Sequence, residues 1–134
     1  MTQLRSAANA RQVILVVDDD TAIRNSLKFL MEVEGFEVRA YANGNELLNE
    51  DSLPASACLV VDYHMPGIDG LGVVAVLRDR RILIPAILMT ANPDENMRKQ
   101  AAAAGIPIVE KSLLGTRLLD SVHEAFEARF NSSL

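Results

Sequence analysis

Four runs of apolar residues along the chain each stop abruptly at polar ones. Val13-Ile14-Leu15-Val16-Val17 stops at Asp18-Asp19, and Leu59-Val60-Val61 stops at Asp62. Ile84-Pro85-Ala86-Ile87-Leu88-Met89 stops at Thr90, and Ile106-Pro107-Ile108-Val109 stops at Glu110-Lys111. Unbroken apolar runs of this length suit strands buried on both faces, as in a parallel sheet. Residues 36–41 alternate instead and read as a more exposed second strand; the third strand covers 58–61. Between the strands the pattern turns helical. A helix from about residue 21 carries Ile23, Leu27, Leu30 and Met31 on one stripe, and Gly35 ends it. Residues 43–45 read as a turn and 46–49 as a short helix. Residues 65–70 cannot be regular structure and form a loop. A helix over 71–80 ends in Arg78, Arg80 and Arg81, which suits the helix dipole. Pro85 falls early in the fourth strand, where a missing donor does least harm. Asn92-Pro93-Asp94-Glu95 opens a fourth helix that runs to Gly105. The last helix covers about 114–128, with Leu118, Val122, Ala125 and Phe126 inward.

Five strands alternating with helices imply right-handed crossovers and a parallel α/β sheet. In such a sheet, chemistry sits beyond the carboxyl ends of the strands. Asp18, Asp19, Asp62, Thr90 and Lys111 all occupy strand ends, so residues far apart in sequence should meet at one edge. Three carboxylates, a hydroxyl and an ammonium suit a site that binds a divalent cation and handles a phosphoryl group.

Composition narrows the class. A chain of 134 residues suits a single domain, expected over 13–130 with short tails at 1–12 and 131–134. The net charge of −5 argues against direct nucleic-acid binding. No stretch approaches the ~20 apolar residues of a membrane span, and the N-terminus lacks a hydrophobic signal segment. The lone Cys58 forms no internal disulfide, which fits a reducing, cytoplasmic setting; it reads as a small buried hydrophobe.

Four matches in order carry a resemblance: Asp18-Asp19, the segment Asp62-Tyr63-His64-Met65-Pro66-Gly67-Ile68-Asp69-Gly70, Thr90-Ala91, and Lys111. The chain resembles the receiver domain of bacterial two-component response regulators from residue 13 to about 128. The resemblance implies a flavodoxin-like (βα)5 doubly wound parallel sheet in strand order 2-1-3-4-5. It makes Asp62 the phosphoacceptor, with a phosphohistidine of a sensor histidine kinase or a phosphotransfer protein as donor. It assigns Mg²⁺ to Asp18, Asp19, Asp62 and the backbone carbonyl of His64. Thr90 and Lys111 would contact phosphoryl oxygens, and His64 and Asn92 would tune the lifetime of the acyl phosphate. Chemistry of its own would be limited to self-phosphorylation and slow self-dephosphorylation. The protein would act as a phosphorylation-dependent switch or phosphorelay component on a downstream protein target. For Asp20 or Thr21 the expected role is only to cap a helix.

Two positions depart from the family pattern. Ser112 follows Lys111 where the family has proline, often in a cis peptide. A cis bond before a non-proline costs ~2.5–4 kcal/mol, so a trans peptide and a differently aimed Lys111 are expected. Ile108 stands where the family often carries an aromatic switch residue, and it reads as a core aliphatic. Two other classes compete. A haloacid-dehalogenase-type hydrolase fails because Asp18-Asp19-Asp20-Thr21-Ala22 ends its signature wrongly. A pseudo-receiver, a protein-binding module that is never phosphorylated, is the alternative that Ser112 and Ile108 leave open.

Overall fold

The computed structural model describes residues 12–132. Its strands are β1 (Val13–Val17), β2 (Glu37–Tyr41), β3 (Ala57–Asp62), β4 (Ala86–Thr90) and β5 (Ile108–Glu110). Its helices are α1 (Thr21–Val33), α2 (Gly44–Leu48), α3 (Gly70–Asp79), α4 (Glu95–Ala104) and α5 (Thr116–Ser132). All strand pairs are parallel, in the order β2-β1-β3-β4-β5. This is the expected topology. β1, β3 and β4 are buried along their whole length, whereas β2 lies at an edge and buries only Tyr41.

Side chains of a strand alternate between its two faces, so each strand feeds two cores. Leu15, Val17, Leu59, Val61 and Leu88 pack under α2, α3 and α4 with Leu47, Val73, Leu77 and Met97. Ile14, Val16, Val60, Ile87 and Met89 pack under α1 and α5 with Leu27, Met31, Leu118, Val122 and Phe126. The stripes expected for the first and last helices face this core, with Ile23, Leu30 and Ala125 only partly buried at its margin.

Several boundaries shift for identifiable reasons. The Phe36 N–H donates to Met31 O (3.1 Å) at the end of α1, so it is spent and β2 starts at Glu37. Pro85 has no N–H, and the fourth strand starts after it, although its carbonyl still accepts from Leu59 N (2.8 Å). The Ile106 N–H closes α4 on Ala101 O (2.8 Å) and Pro107 lacks a donor, which delays β5 to Ile108. The expected turn at 43–45 is instead the start of α2. Asn43 Oδ1 accepts from Glu46 N (2.9 Å), and Glu46 Oε1 accepts from Ala42 N (2.8 Å). Residues Lys111–Leu113 form a 3-10 turn before α5. No glycine or proline follows Ala128, and α5 runs on to Ser132 rather than yielding to a tail at 131. Of the expected tails, residues 1–11, 133 and 134 lie outside the described residues. No helix among the described residues is long and apolar enough to cross a membrane.

Candidate functional site

The carboxyl ends of β1, β3 and β4 and the residue after β5 converge at one edge of the sheet. Asp18 leaves β1 with its N–H on Tyr41 O (3.2 Å). Its Oδ1 accepts from Asp20 N (2.9 Å), which closes a tight turn. Asp20 then caps α1, accepting from Ala22 N (2.9 Å) and Ile23 N (3.3 Å). The third residue of the acidic run thus serves the helix, as expected, and the first two are left for the pocket. Asp18 is fully buried, Asp62 nearly so, and Asp19 is exposed. One oxygen from each of the three carboxylates falls within 4.8 Å of the others.

Lys111 closes the cluster. Its Nζ lies 3.1 Å from Asp18 Oδ2 and 3.1 Å from Asp62 Oδ2. Among the described residues there is no cis peptide bond, so the Lys111–Ser112 peptide is trans as expected. The expectation that Lys111 is therefore aimed differently does not hold. The 3-10 turn begins at Lys111 itself, and its long stem brings the ammonium to both carboxylates. Burial pushes the Asp62 carboxyl above the ordinary range; the Lys111 hydrogen bond opposes this and the Asp18 charge adds to it. Burial alone would lower the Lys111 ammonium, but Asp18 and Asp62 outweigh it and hold it above its ordinary value.

Thr90 is fully buried at the end of β4, and its Oγ1 accepts from Asn92 N (3.3 Å), which leaves the hydroxyl proton free to be donated elsewhere. His64 is exposed, its N–H donates to Asp62 Oδ1 (3.3 Å), and its ring meets Tyr63 edge-on at 4.6 Å. Behind the site, Gly70 opens α3 with its N–H on Tyr63 O (3.1 Å). A Cβ there would lie 2.5 Å from Asp62 O, so only glycine lets α3 pack this closely against the strand end. Arg24 is a site neighbour that the apolar pattern did not single out. Its Nη1 donates to Asp18 O (2.7 Å) and its Nη2 to Thr21 Oγ1 (3.3 Å). The readable signal was a cation near a helix N-terminus, where the dipole disfavours it.

The donor set fits a hard divalent cation. The candidate ligands are all carboxylate oxygens. Asp18 Oδ2 is buried and accepts no hydrogen bond of good geometry, although it faces the Lys111 charge. Three carboxylates and one ammonium leave two net negative charges, which a divalent cation balances.

Comparison with known proteins places this geometry among relatives. Residues 14–123 match the family model described as the response regulator receiver domain. The chain is 33% identical over 121 residues to nodulation protein W of Bradyrhizobium diazoefficiens, covering 90% of this chain and 53% of that protein. The FixJ-N crystal structure superposes with a TM-score of 0.78 at 29% identity, over 87% of this chain and 94% of that one. A CheY-like receiver domain from Methanospirillum hungatei JF-1 gives 0.82 at 26% identity, over 90% and 98%. The chain spans about half the length of the curated relatives it matches.

Proposed function

This chain belongs to the response regulator receiver domain family, and from that membership we propose that Asp62 accepts a phosphoryl group. The observation that carries the reading is the nearly buried Asp62 carboxylate held 3.1 Å from the Lys111 ammonium, beside Asp18 and Asp19. The donor is a phosphohistidine of a sensor histidine kinase or a phosphotransfer protein. An Asp62 oxygen attacks phosphorus, the P–N bond breaks, and the imidazole nitrogen keeps the electron pair and takes up a proton. The product is an acyl phosphate on Asp62. Asp18, Asp19, Asp62 and the backbone carbonyl of His64 would hold Mg²⁺, which supplies charge neutralisation for the phosphoryl oxygens.

The chain's own groups complete the task. Lys111 balances a second phosphoryl oxygen as a compact point charge. Thr90 donates its hydroxyl proton to a third. His64 and Asn92 flank the approach of water and set how long the acyl phosphate lasts. The modified domain acts in the cytoplasm as a switch or relay component on a protein target, and these residues do not themselves contact nucleic acid. Several relatives are named transcriptional regulators, and they extend well beyond the matched segment.

The test is labelling by acetyl phosphate with Mg²⁺, read by intact mass. Wild type should gain one phosphoryl group and Asp62→Asn none, with the fold retained because the change is nearly isosteric. Stoichiometric label on Asp62→Asn would show that another residue is the acceptor.

A further inference from the structure

Asp18 and Asp19 stand on the turn between β1 and α1. Asp18 N–H is tied to Tyr41 O and Asp18 Oδ1 to Asp20 N, but the Asp18 carbonyl lies beyond the last residue of β1. Arg24, half-buried, supplies the partner for that carbonyl at 2.7 Å and anchors its other nitrogen on Thr21 Oγ1 at 3.3 Å. One planar fork therefore spans the strand end and the first residue of the helix. Among the described residues no side chain bonds to the exposed Asp19 carboxylate, so the backbone around Asp18 is what sets where Asp19 stands.

We propose that Arg24 is a positioning residue that sets the affinity and selectivity of the acidic pocket for a divalent cation, by clamping the main-chain carbonyl of Asp18. The inference rests on the metal-binding reading given above. Two effects of the guanidinium oppose one another. Its charge stands near the pocket and repels a cation, while its fork fixes the main-chain carbonyl of Asp18 and so the backbone that carries Asp18 and Asp19. The proposal requires the second effect to win. A lysine keeps the charge but has no planar fork to reach both acceptors.

Mg²⁺ and Ca²⁺ discriminate the two effects. Mg²⁺ demands near-ideal octahedral geometry, whereas Ca²⁺ tolerates irregular sites. Isothermal titration with each ion, on wild type, Arg24→Ala and Arg24→Lys, reads the difference. Losing an outer-shell partner typically weakens metal binding 10–100-fold. Both variants should bind Mg²⁺ about tenfold more weakly, at the lower end of that range, and lose clearly less affinity for Ca²⁺. Melting curves without metal check that each variant is folded at the titration temperature. If Arg24→Ala does not fold, Arg24→Lys alone decides. Unchanged binding, equal losses for both ions, or tighter binding in Arg24→Ala with Arg24→Lys unchanged overturns the clamp. A wild type that binds no Mg²⁺ overturns the metal-site reading as well.

Discussion

Cys58 and Asp62 share strand β3 and are almost equally buried, yet the chain treats them differently. Asp62 has an ammonium at 3.1 Å that opposes the effect of its burial. Cys58 sits in an apolar cluster with a weak contact to Leu59 O, and burial pushes its thiol up from 9.0 to about 12. The unfolded chain can ionise this thiol above pH 9 while the native state cannot. Between those two values the native state therefore loses about 1.4 kcal/mol of stability per pH unit relative to a chain without the thiol. Denaturant melts of wild type and Cys58→Ala should show a constant offset below pH 9, from the small cavity, and a steady relative loss for wild type above it. A pH-independent offset up to pH 11 would show that the thiol ionises in place. At this scale much of the site could be read in advance. The acidic pair, Asp62 and Lys111 come together, Thr90 stands buried at the end of the neighbouring strand, and Asp20 caps the helix. The aim of Lys111 could not be read, because it depends on the 3-10 turn that starts at that residue. Arg24 was missed because its partner is a main-chain carbonyl, which no side-chain pattern reports.

At the scale of elements, four apolar runs and one alternating segment identified all five strands, and errors concentrate at their ends. A run of apolar residues does not tell which N–H groups are already spent on a helix end or missing at proline. That is why Phe36, Ile84 and Ile106 read as strand yet lie outside it. The start of α2 was legible as Asn43 followed three residues later by Glu46, a helix-start signature that the Asn-Gly turn signal masked. Helix α3 is placed by backbone proximity rather than by side chains. A Cβ at Gly70 would meet both Asp62 O at 2.5 Å and Leu88 Cδ1 at 2.8 Å. The leucine tip can yield, but the main-chain carbonyl at the end of β3 cannot. Gly70→Ala should therefore cost about 1–3 kcal/mol, as overpacking does, and slow the labelling of Asp62. Gly72→Ala is the comparison: its Cβ would press chiefly on Ile68 Cγ1, and alanine gains up to ~1 kcal/mol in a helix interior. Calorimetry should show a clear drop in Tm for Gly70→Ala and a much smaller change for Gly72→Ala. Equal drops would mean that α3 simply slides away from the strand end.

For the molecule as a whole, the question is how an event at Asp62 reaches another surface. An open groove of about 550 Å³ lies along α4, β5 and α5, lined by Arg98, Ile108, Glu110, Arg117, Asp120 and Glu124. Arg98 and Glu110 form an ion pair across it at 3.7 Å, both partly exposed, so this contact adds little stability and can be rearranged. Ile108 lies opposite Leu88 and, half-buried, packs against the core beneath α2, α3 and α4. A branched aliphatic in that place cannot alternate between a buried and an exposed ring. Thr90 and Lys111 can still move toward a phosphoryl group, because each stands at a strand end with a turn behind it. Beryllofluoride, a phosphoryl mimic, should then perturb backbone amides most over 90–96 and 111–115, the segments that must close on the new oxygens. The groove face should respond less than in relatives that carry the aromatic. Amide shifts by NMR, with and without the mimic and Mg²⁺, give the comparison residue by residue. Large changes centred on Ile108 and on the exposed side of α5 would show that another residue carries the signal. The Arg98–Glu110 pair would then be the first to test, because it joins α4 directly to the strand that precedes Lys111.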